Sequence, residues 1–374
     1  MKIVTHPTFS IFSLNIALAT ICAFNCAHAS NIISNDNDWT LDVKGIYLFN
    51  SSVNTIPAMG IITGPSGTNT PPPGINLNSN DIHQNRLDLN GWGIDLNILK
   101  SLTNNWFSGI DYQGHFVDDR NTLGNRNTGS RSVHANLLNR SLADSNNLNQ
   151  SFISGIADYA SDSIDVNRHS LDFIIGKQLP AHPRVNVMWK AGLRGAYSKV
   201  DRKVQYQYNQ TSPVDENNIT GIDTAKIHLD TKMLGVGPIL GAGTNIAFGN
   251  DFFININGLL AGTLSYFKDY RLESNFNSNT QTTAYANVWN NSYGAVAMAE
   301  FNIDLTKNFN QDWAFGTGYI ASSWLGAAHI ISQAGWDDVH DITTSYHTKH
   351  DDILTQGVYI RLVYHPQDNT MMKK

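Results

Sequence analysis

The feature that most constrains the fold is a period-two alternation of apolar and polar residues that recurs along the chain. In the stretch from Gly91 to Phe116, Trp92 and Ile94 alternate with glycine and aspartate, and the pattern resumes at Trp106 after a polar break. Such alternation places one set of side chains on each face of a β-strand, and the polar break predicts a hairpin turn. The fold then depends on what the apolar face contacts.

About ten segments carry this alternation. Their approximate ranges are residues 39–49, 91–99, 106–116, 168–177, 185–197, 234–242, 252–266, 293–305, 313–319 and 354–364. After the signal-like N-terminus no apolar run is long enough for a membrane-spanning helix, so the pattern predicts an all-β protein.

The connections between these segments alternate in length. Short turns are predicted at residues 103–105, 179–184, 248–251 and 306–312. Long segments rich in Gly, Pro and Asn are predicted at residues 50–85, 118–166, 208–226, 269–287 and 326–350. If successive strands are antiparallel neighbours, all short turns lie at one end and all long loops at the other. This layout predicts a transmembrane antiparallel up-and-down β-barrel of about 10 strands (range 8–12), with short periplasmic turns and long external loops.

Aromatic residues open or close strands at the short-turn end. This predicted aromatic girdle consists of Trp39, Trp106, Phe252, Trp313 and Tyr364. Amphipathic rings at one height are typical of a membrane interface. In a soluble β-sandwich no membrane interface would place these aromatic rings at one height.

Polar and charged residues occupy the face opposite the apolar one. The candidates for lining the barrel lumen are Asp95, Asp111, His115, Lys190, Arg194, Glu300, Asp304 and Arg361. In a closed barrel the apolar face meets lipid and the polar face meets the lumen, and closure pairs the edge strands. The alternative is a soluble β-sandwich or adhesin domain with a partner sheet on the apolar face.

The N-terminus predicts export. A basic start at Lys2, an apolar core over residues 9–24 and the small residues Ala27 and Ala29 indicate a secretory signal peptide, with cleavage near Ala29. The expected organisation is a signal peptide over residues 1–29, an outer-membrane barrel over 30–364 and a polar periplasmic tail over 365–374. The two cysteines, Cys22 and Cys26, would leave with the signal peptide, so disulfide-linked assembly is not expected.

Three segments resemble the Legionella major outer membrane protein family. They are GWGIDLNILKSLTNNWFSGIDY, LGVGPILGAGTNIAFGNDFFININGLLAGTL and DDILTQGVYIRLVY. The resemblance covers about half of the mature chain and implies a porin-type outer-membrane barrel with surface-exposed loops. It supplies no catalytic residues. The polar tail after Tyr364 departs from the usual barrel ending, in which the closing aromatic residue is the terminus.

The densest cluster of metal-ligating residue types lies between Trp336 and Asp352. It contains Asp337, Asp338, His340, Asp341, His347, His350, Asp351 and Asp352. The cluster could ligate a divalent metal or activate a water molecule in a barrel hydrolase. Its spacing matches no tight ligand motif, so we expect a solvated external loop, with no metal, no cofactor and no enzymatic activity.

The lumen charges permit two structures. They either line a water-filled pore or pair across the lumen and close it. Ten strands lie near the closed limit, and inner-face glycines in segments 234–242 and 313–319 are expected to widen the lumen. The region 118–166 either folds inward, with a short helix at residues 151–159, or adds a hairpin.

The expected function is porin-like passive passage of small polar solutes. The alternative is a closed structural or adhesive barrel whose surface loops bind host or envelope partners. The expected partners are outer-membrane lipid and lipopolysaccharide, the barrel assembly machinery and host surface molecules, and an oligomer is possible. A net charge of −6 does not favour nucleic-acid binding.

Overall fold

The computed structural model describes residues 39–53, 59–62, 82–84, 89–124, 132–135, 156–157, 159–207, 222–248, 251–277, 282–310, 312–333 and 346–365. These residues form fourteen β-strands and one 3-10 turn, Thr103–Asn105. Within these ranges no helix has the length and apolar character needed to cross a membrane. The proposed signal peptide lies outside the described residues, as does the tail beyond His365.

Ten of the strands form a closed antiparallel barrel in which neighbours along the chain are neighbours in the sheet. They are β1 (Trp39–Val53), β4 (Leu89–Ser101), β5 (Trp106–Gly124), β8 (Tyr159–His182), β9 (Val185–Gln207), β10 (Ile222–Phe248), β11 (Phe252–Asn277), β12 (Thr282–Asn308), β13 (Trp313–Gln333) and β14 (Tyr346–Tyr364). The first and last strands close the barrel, with Leu41 opposite Tyr364. The predicted ten-stranded up-and-down barrel is therefore confirmed.

The remaining strands form a small separate sheet. They are β2 (Met59–Ile62), β3 (Ile82–Gln84), β6 (Ser132–Ala135) and β7 (Ile156–Ala157), in the order β3-β2-β6-β7. The sequence predicts a loop at residues 50–85 and an inward fold or an added barrel hairpin at 118–166, and among the described residues these strands of a separate sheet correct both expectations. The predicted helix at 151–159 is wrong in its described part, because residues 156–157 and 159 are in strands.

Several barrel strands are much longer than the alternation pattern predicts. β11 has 26 residues and β12 has 27, and only residues 278–281 separate them. The predicted loop 269–287 is therefore largely strand. A transmembrane strand needs about 9–11 residues, so these strands extend beyond the apolar band at the end away from the short turns.

The outward face of the barrel is apolar and the inward face is largely polar. Outward Leu234, Val236 and Leu264 are 64%, 61% and 78% exposed, whereas inward Arg194 is fully buried. In water this distribution would be unfavourable, but in a membrane the acyl chains solvate the apolar face and closed strand pairing leaves no free edge. The architecture is that of an outer-membrane barrel.

The predicted girdle residues lie on the outward face at the short-turn end. The rings of Trp313 and Tyr364 are 4.6 Å apart between centroids. Lysine ammonium groups lie 5.3–5.5 Å from the ring centres of three girdle residues, Trp39, Trp106 and Phe252. Aromatic rings with adjacent lysines are typical of the headgroup level.

A second aromatic level, which the sequence analysis missed, lies at the other edge of the apolar band. Trp92 stacks on Phe116 at 4.4 Å, and Tyr266 lies 5.1 Å from Tyr293. The stretch from Trp106 to Phe116 on β5 has the length of about 9–11 residues that a transmembrane strand requires. The two aromatic levels therefore bound a band as thick as the membrane core.

Candidate functional site

The barrel interior is the candidate site, and all eight predicted lumen residues lie on its inner face. Asp95, Asp111, His115, Arg194, Glu300 and Asp304 are buried, and Lys190 and Arg361 are partly buried. They are inward because each is flanked in sequence by outward residues, as period-two alternation requires. The structure joins most of them in ion pairs.

Arg194 lies at the centre of the first ion-pair group. Its Nε and Nη2 atoms each donate to Asp172 on the neighbouring strand β8 at 2.7 Å. Its Nη1 and Nη2 atoms donate to Glu300 on β12 at 2.5 and 3.2 Å. Two strands, β10 and β11, lie between β9 and β12 in the wall. The guanidinium therefore links separated parts of the wall through the interior, with the bidentate geometry of a strong ion pair.

A second group lies around Arg361 on β14. Arg361 donates from Nη2 to Asp42 at 2.9 Å and from Nη1 to Asp304 on β12 at 3.0 Å. Tyr359 donates its hydroxyl to the other oxygen of Asp304 at 2.9 Å. The Arg361–Asp304 contact passes β13, which separates β14 from β12, so the Arg361 group also links separated strands through the interior.

Two lysine–aspartate pairs lie beside these groups. The charged layer of the interior consists of the Arg194 group, the Arg361 group and the pairs Lys44–Asp95 and Lys190–Asp111. Lys44 Nζ lies 2.7 Å from Asp95 Oδ2. Lys190 Nζ lies 3.9 Å from Asp111 Oδ2, the longest ion pair inside the barrel among the described residues. One oxygen each of Asp95 and Asp111 is buried without a hydrogen-bond partner in the described part of the chain. Such oxygens are positions where water binds.

The inner-face glycines make room for other side chains and do not widen the lumen as expected. A Cβ on Gly241 would lie 3.0 Å from the Cγ and Cε atoms of Lys190. A Cβ on Gly318 would lie 2.6 Å from the Cβ of Asp304, and one on Gly243 would collide with the Asn257 side chain. The space that glycine leaves is filled by the polar side chains of the interior.

Above the charged layer, on the side away from the short turns, the interior contains an apolar layer together with buried polar groups such as the Arg202–Asp162 ion pair. Arg168 donates from Nη2 to Thr355 at 2.8 Å and contacts His115, and its guanidinium lies 4.6 Å from the centre of the Trp324 ring. Around this group pack inward residues from most of the wall. They include Ile46, Leu48, Val117, Val166, Val200, Met233, Phe267, Val296, Ile320 and Ile353. An apolar layer of this kind excludes water from the interior.

The outer half of β13 leaves the wall and crosses the interior. Pairing of β13 with β12 ends at Leu325, and the register with β14 shifts between Trp324 and Ala328 around Gly326, which has φ +76°. Beyond this bend the backbone carbonyls of β13 accept hydrogen bonds from inward side chains of three other strands. The donors and acceptors are Ser198 to Ala327 (3.3 Å), Thr231 to His329 (2.7 Å) and Arg271 to Ile331 (2.8 Å). This inward segment, residues 327–331, covers the charged layer from above.

A histidine and aspartate pair lies in the same region but is enclosed. His329 Nδ1 is 3.2 Å from Asp269 Oδ2, and neither side chain is more than 1% exposed. The His329 ring stacks on Phe267 and meets the His350 ring edge-on. Since no substrate can reach this pair in the observed conformation, it does not favour a hydrolase.

Half of the predicted acidic and histidine cluster, Asp337, Asp338, His340 and Asp341, lies outside the described residues, and the other half, His347, His350, Asp351 and Asp352, is in β14 and not in a loop as expected. Within the described part, Asp351 is buried and Asp352 accepts a hydrogen bond from the Gly326 backbone at 2.8 Å. In the ranges that the structure covers, no group of three or more His, Cys, Asp or Glu residues could hold a metal.

The predicted lumen candidates do not include three of their ion-pair partners, Asp42, Lys44 and Asp172, or Arg168, which contacts His115. Asp42, Lys44 and Asp172 follow the same alternation as the predicted candidates, because Leu41, Val43, Leu171 and Phe173 beside them face outward. The alternation of apolar and polar residues in each of these strands therefore indicates that the polar side chains face inward.

Neither a family model nor a curated protein sequence matches the chain. Among solved structures, the chain is similar to the outer membrane protease OmpT from Escherichia coli at 10% identity, with 90% of this chain and 100% of that chain covered and a TM-score of 0.37. It is also similar to a TodX monoaromatic hydrocarbon channel mutant at 8% identity, 90% and 91% coverage and a TM-score of 0.33. The transport unit of the autotransporter AIDA-I from Escherichia coli matches at 7% identity, 97% and 100% coverage and a TM-score of 0.28. All three TM-scores are below 0.5, so these similarities carry no argument about function. The fold assignment rests on the strand pairing of this chain.

Proposed function

We propose that this protein is a bacterial outer-membrane barrel whose lumen is closed at rest and whose role is to hold surface segments at the long-connection end. The observation that carries the proposal is the fully buried Arg194, which is bound to Asp172 and Glu300 through the interior. The inward segment of β13 above it supports the same conclusion. The surface segments would be the parts that bind host or envelope partners.

The free-energy cost of breaking the interior contacts also favours a closed lumen. Opening a path past Arg194 would leave Arg194, Asp172 and Glu300 without partners, and separating a buried pair costs about 3–5 kcal/mol. A solute would also have to displace residues 327–331, whose carbonyls are held by Ser198, Thr231 and Arg271. Thermal motion of single side chains is not sufficient for both changes.

Passive passage of small polar solutes is the second candidate. It is favoured by the long Lys190–Asp111 pair and by the unpartnered buried oxygens of Asp95 and Asp111, which mark a hydrated path along one side of the charged layer. For a pore of useful size, the outer parts of β13 and β14 would have to move together. No catalytic step is part of either candidate.

Solute uptake by proteoliposomes distinguishes these two candidates. We expect liposomes containing the folded, heat-modifiable protein to exclude arabinose as well as protein-free liposomes do. Swelling in arabinose at a rate that rises with protein content would support passage and would contradict the closed barrel. Liposomes with a known general porin serve as the positive control.

Export by a signal peptide cleaved near Ala29 and membership in the Legionella major outer membrane protein family are further parts of the proposal. The first is supported by the sequence of residues 1–29, and the second by the three segments quoted above. N-terminal sequencing of the protein recovered from outer membranes tests the cleavage, and the predicted first residue is Ser30.

A further inference from the structure

A row of lysines crosses three adjacent strands on the outward face of the barrel. Lys199 on β9 lies directly opposite Lys232 on β10, and Lys232 lies directly opposite Lys268 on β11. Directly opposite residues of an antiparallel pair point to the same face with Cβ atoms about 4.5–5.5 Å apart. Like charges in this arrangement destabilise a sheet unless an anion lies between them.

This lysine row has a defined height relative to the membrane band. Each lysine lies two residues from an outward residue at the upper edge of the band, namely Tyr197, Leu234 and Tyr266. Two residues of a strand span about 7 Å. Since interfacial tyrosines lie at the headgroup level, the ammonium groups of the lysine row lie at the level of headgroup phosphates.

The row is at the end of the barrel away from the short turns. In outer-membrane barrels short turns are periplasmic, so the lysine row meets the outer leaflet. The opposite edge has a different arrangement, because Lys100, Lys177 and Lys307 lie on β4, β8 and β12, which are not adjacent to one another. Only the outer-leaflet edge presents three contiguous lysines among the described residues.

Neighbouring charges leave the surface of β9 to β11 basic. Asp201 contacts Lys199 at 3.1 Å, Lys203 at 3.6 Å and His228 at 3.1 Å, and Asp230 contacts Lys232 at 3.2 Å. Lys268 is exposed, and no carboxylate lies within ion-pair distance of it in the described part of the chain. On these strands two aspartates therefore face four lysines, and their carboxylates compete with an external anion for Lys199 and Lys232.

We propose that the lysine row of Lys199, Lys232 and Lys268 binds the phosphate groups of a phosphorylated glycolipid of the outer leaflet, which is lipopolysaccharide in an outer membrane. The acyl chains would lie on the apolar wall below Tyr197, Leu234 and Tyr266, and the phosphates would contact the three ammonium groups. This inference depends on the outer-membrane placement but not on whether the lumen is closed.

Lipid binding by the protein purified from outer membranes in detergent tests the proposal. The probes are lipid A with both phosphates and lipid A with its phosphates removed, and native mass spectrometry gives the bound fraction. Each basic residue near a charged membrane surface contributes enough that replacing three should weaken binding by at least about tenfold. We therefore expect the triple variant Lys199→Gln/Lys232→Gln/Lys268→Gln to lose at least about tenfold in affinity for phosphorylated lipid A.

The matched control is Lys100→Gln/Lys177→Gln/Lys307→Gln, which removes the same charge at the opposite edge. We expect it to bind phosphorylated lipid A as the wild type does, and we expect dephosphorylated lipid A to bind the wild type as weakly as the lysine-row variant binds the phosphorylated form. Equal losses in both triple variants would overturn the proposal, since binding would then depend only on net charge. Unchanged binding in the lysine-row variant would also overturn it and would leave an acidic protein surface as the partner of the row.

Three further measurements keep the test decisive. Heat-modifiable migration in gels shows that each variant is folded, and millimolar inorganic phosphate should not displace the lipid, because the acyl chains contribute to binding. Displacement would assign the row to free phosphate. Asp201→Asn/Asp230→Asn should strengthen lipid A binding by removing competing carboxylates, and a loss in that variant would contradict direct binding of phosphate by the lysines.

Discussion

Arg194 on β9 and Glu300 on β12 are joined by two hydrogen bonds through the barrel interior, although β10 and β11 separate their strands in the wall. A contact of this kind fixes the cross-section of the barrel at that height. It also places a charged group where a solute would have to pass. The stability of the protein and the permeability of its lumen are therefore linked at one side chain.

Replacing Arg194 by Met should destabilise the barrel strongly. The change keeps much of the side-chain volume but leaves Asp172 and Glu300 buried without their partner, which costs about 3–5 kcal/mol. Urea unfolding of the protein in lipid bilayers, followed by tryptophan fluorescence, measures the free energy of unfolding. Lys203→Gln is the control, because Lys203 is an exposed partner of Asp201 and exposed pairs contribute about 0–1 kcal/mol. Equal effects of the two changes would show that the buried ion pair is not formed.

Gly326→Ala should destabilise the inward segment of β13. Gly326 has φ +76°, where a side chain costs about 1–2 kcal/mol. Gly262→Ala is the control, since φ there is not in that region and a Cβ would meet no atom within 4 Å. We expect urea unfolding to show a loss of about 1–2 kcal/mol for Gly326→Ala and no loss for Gly262→Ala. A neutral Gly326→Ala would mean that the bend of β13 does not persist in the membrane.

Tryptophan quenching by brominated lipids should separate the two faces of the wall. Trp92 is 58% exposed on the outward face, whereas Trp324 is 1% exposed inside the barrel. We expect Trp92→Phe to remove a strongly quenched part of the emission and Trp324→Phe to remove a part that the bromines do not quench. If both changes removed equally quenched emission, the assignment of outward and inward faces would be wrong.

The sequence predicts the barrel well because period-two alternation is a local property. Leu171 and Phe173 define the outward face of β8 without any knowledge of other strands, and Asp172 between them must then face inward. The closing partner of β1 also follows from the order of strands along the chain. For this reason the strand number and the two faces were predicted correctly.

The interior contacts depend on information that no single strand contains. Arg194 meets Glu300, 106 residues away in sequence, only because of the stagger between β9 and β12 in the closed wall. The inward bend of β13 depends on the positive φ of one glycine, Gly326, in a segment that also contains Gly316 and Gly318 with ordinary φ. The long extensions of β11 and β12 lack clear apolar alternation above the membrane, so the sequence predicts a loop at residues 269–287.

Single-channel recording in planar bilayers tests the closed barrel most directly. The wild-type protein, folded and heat-modifiable, should give no stable conductance steps in about 1 M KCl. At this ionic strength the salt also screens exposed charges. The double variant Arg194→Ala/Gly326→Ala, which removes the central guanidinium and destabilises the inward segment of β13, should give discrete steps. Stable ohmic steps from the wild type would contradict the account.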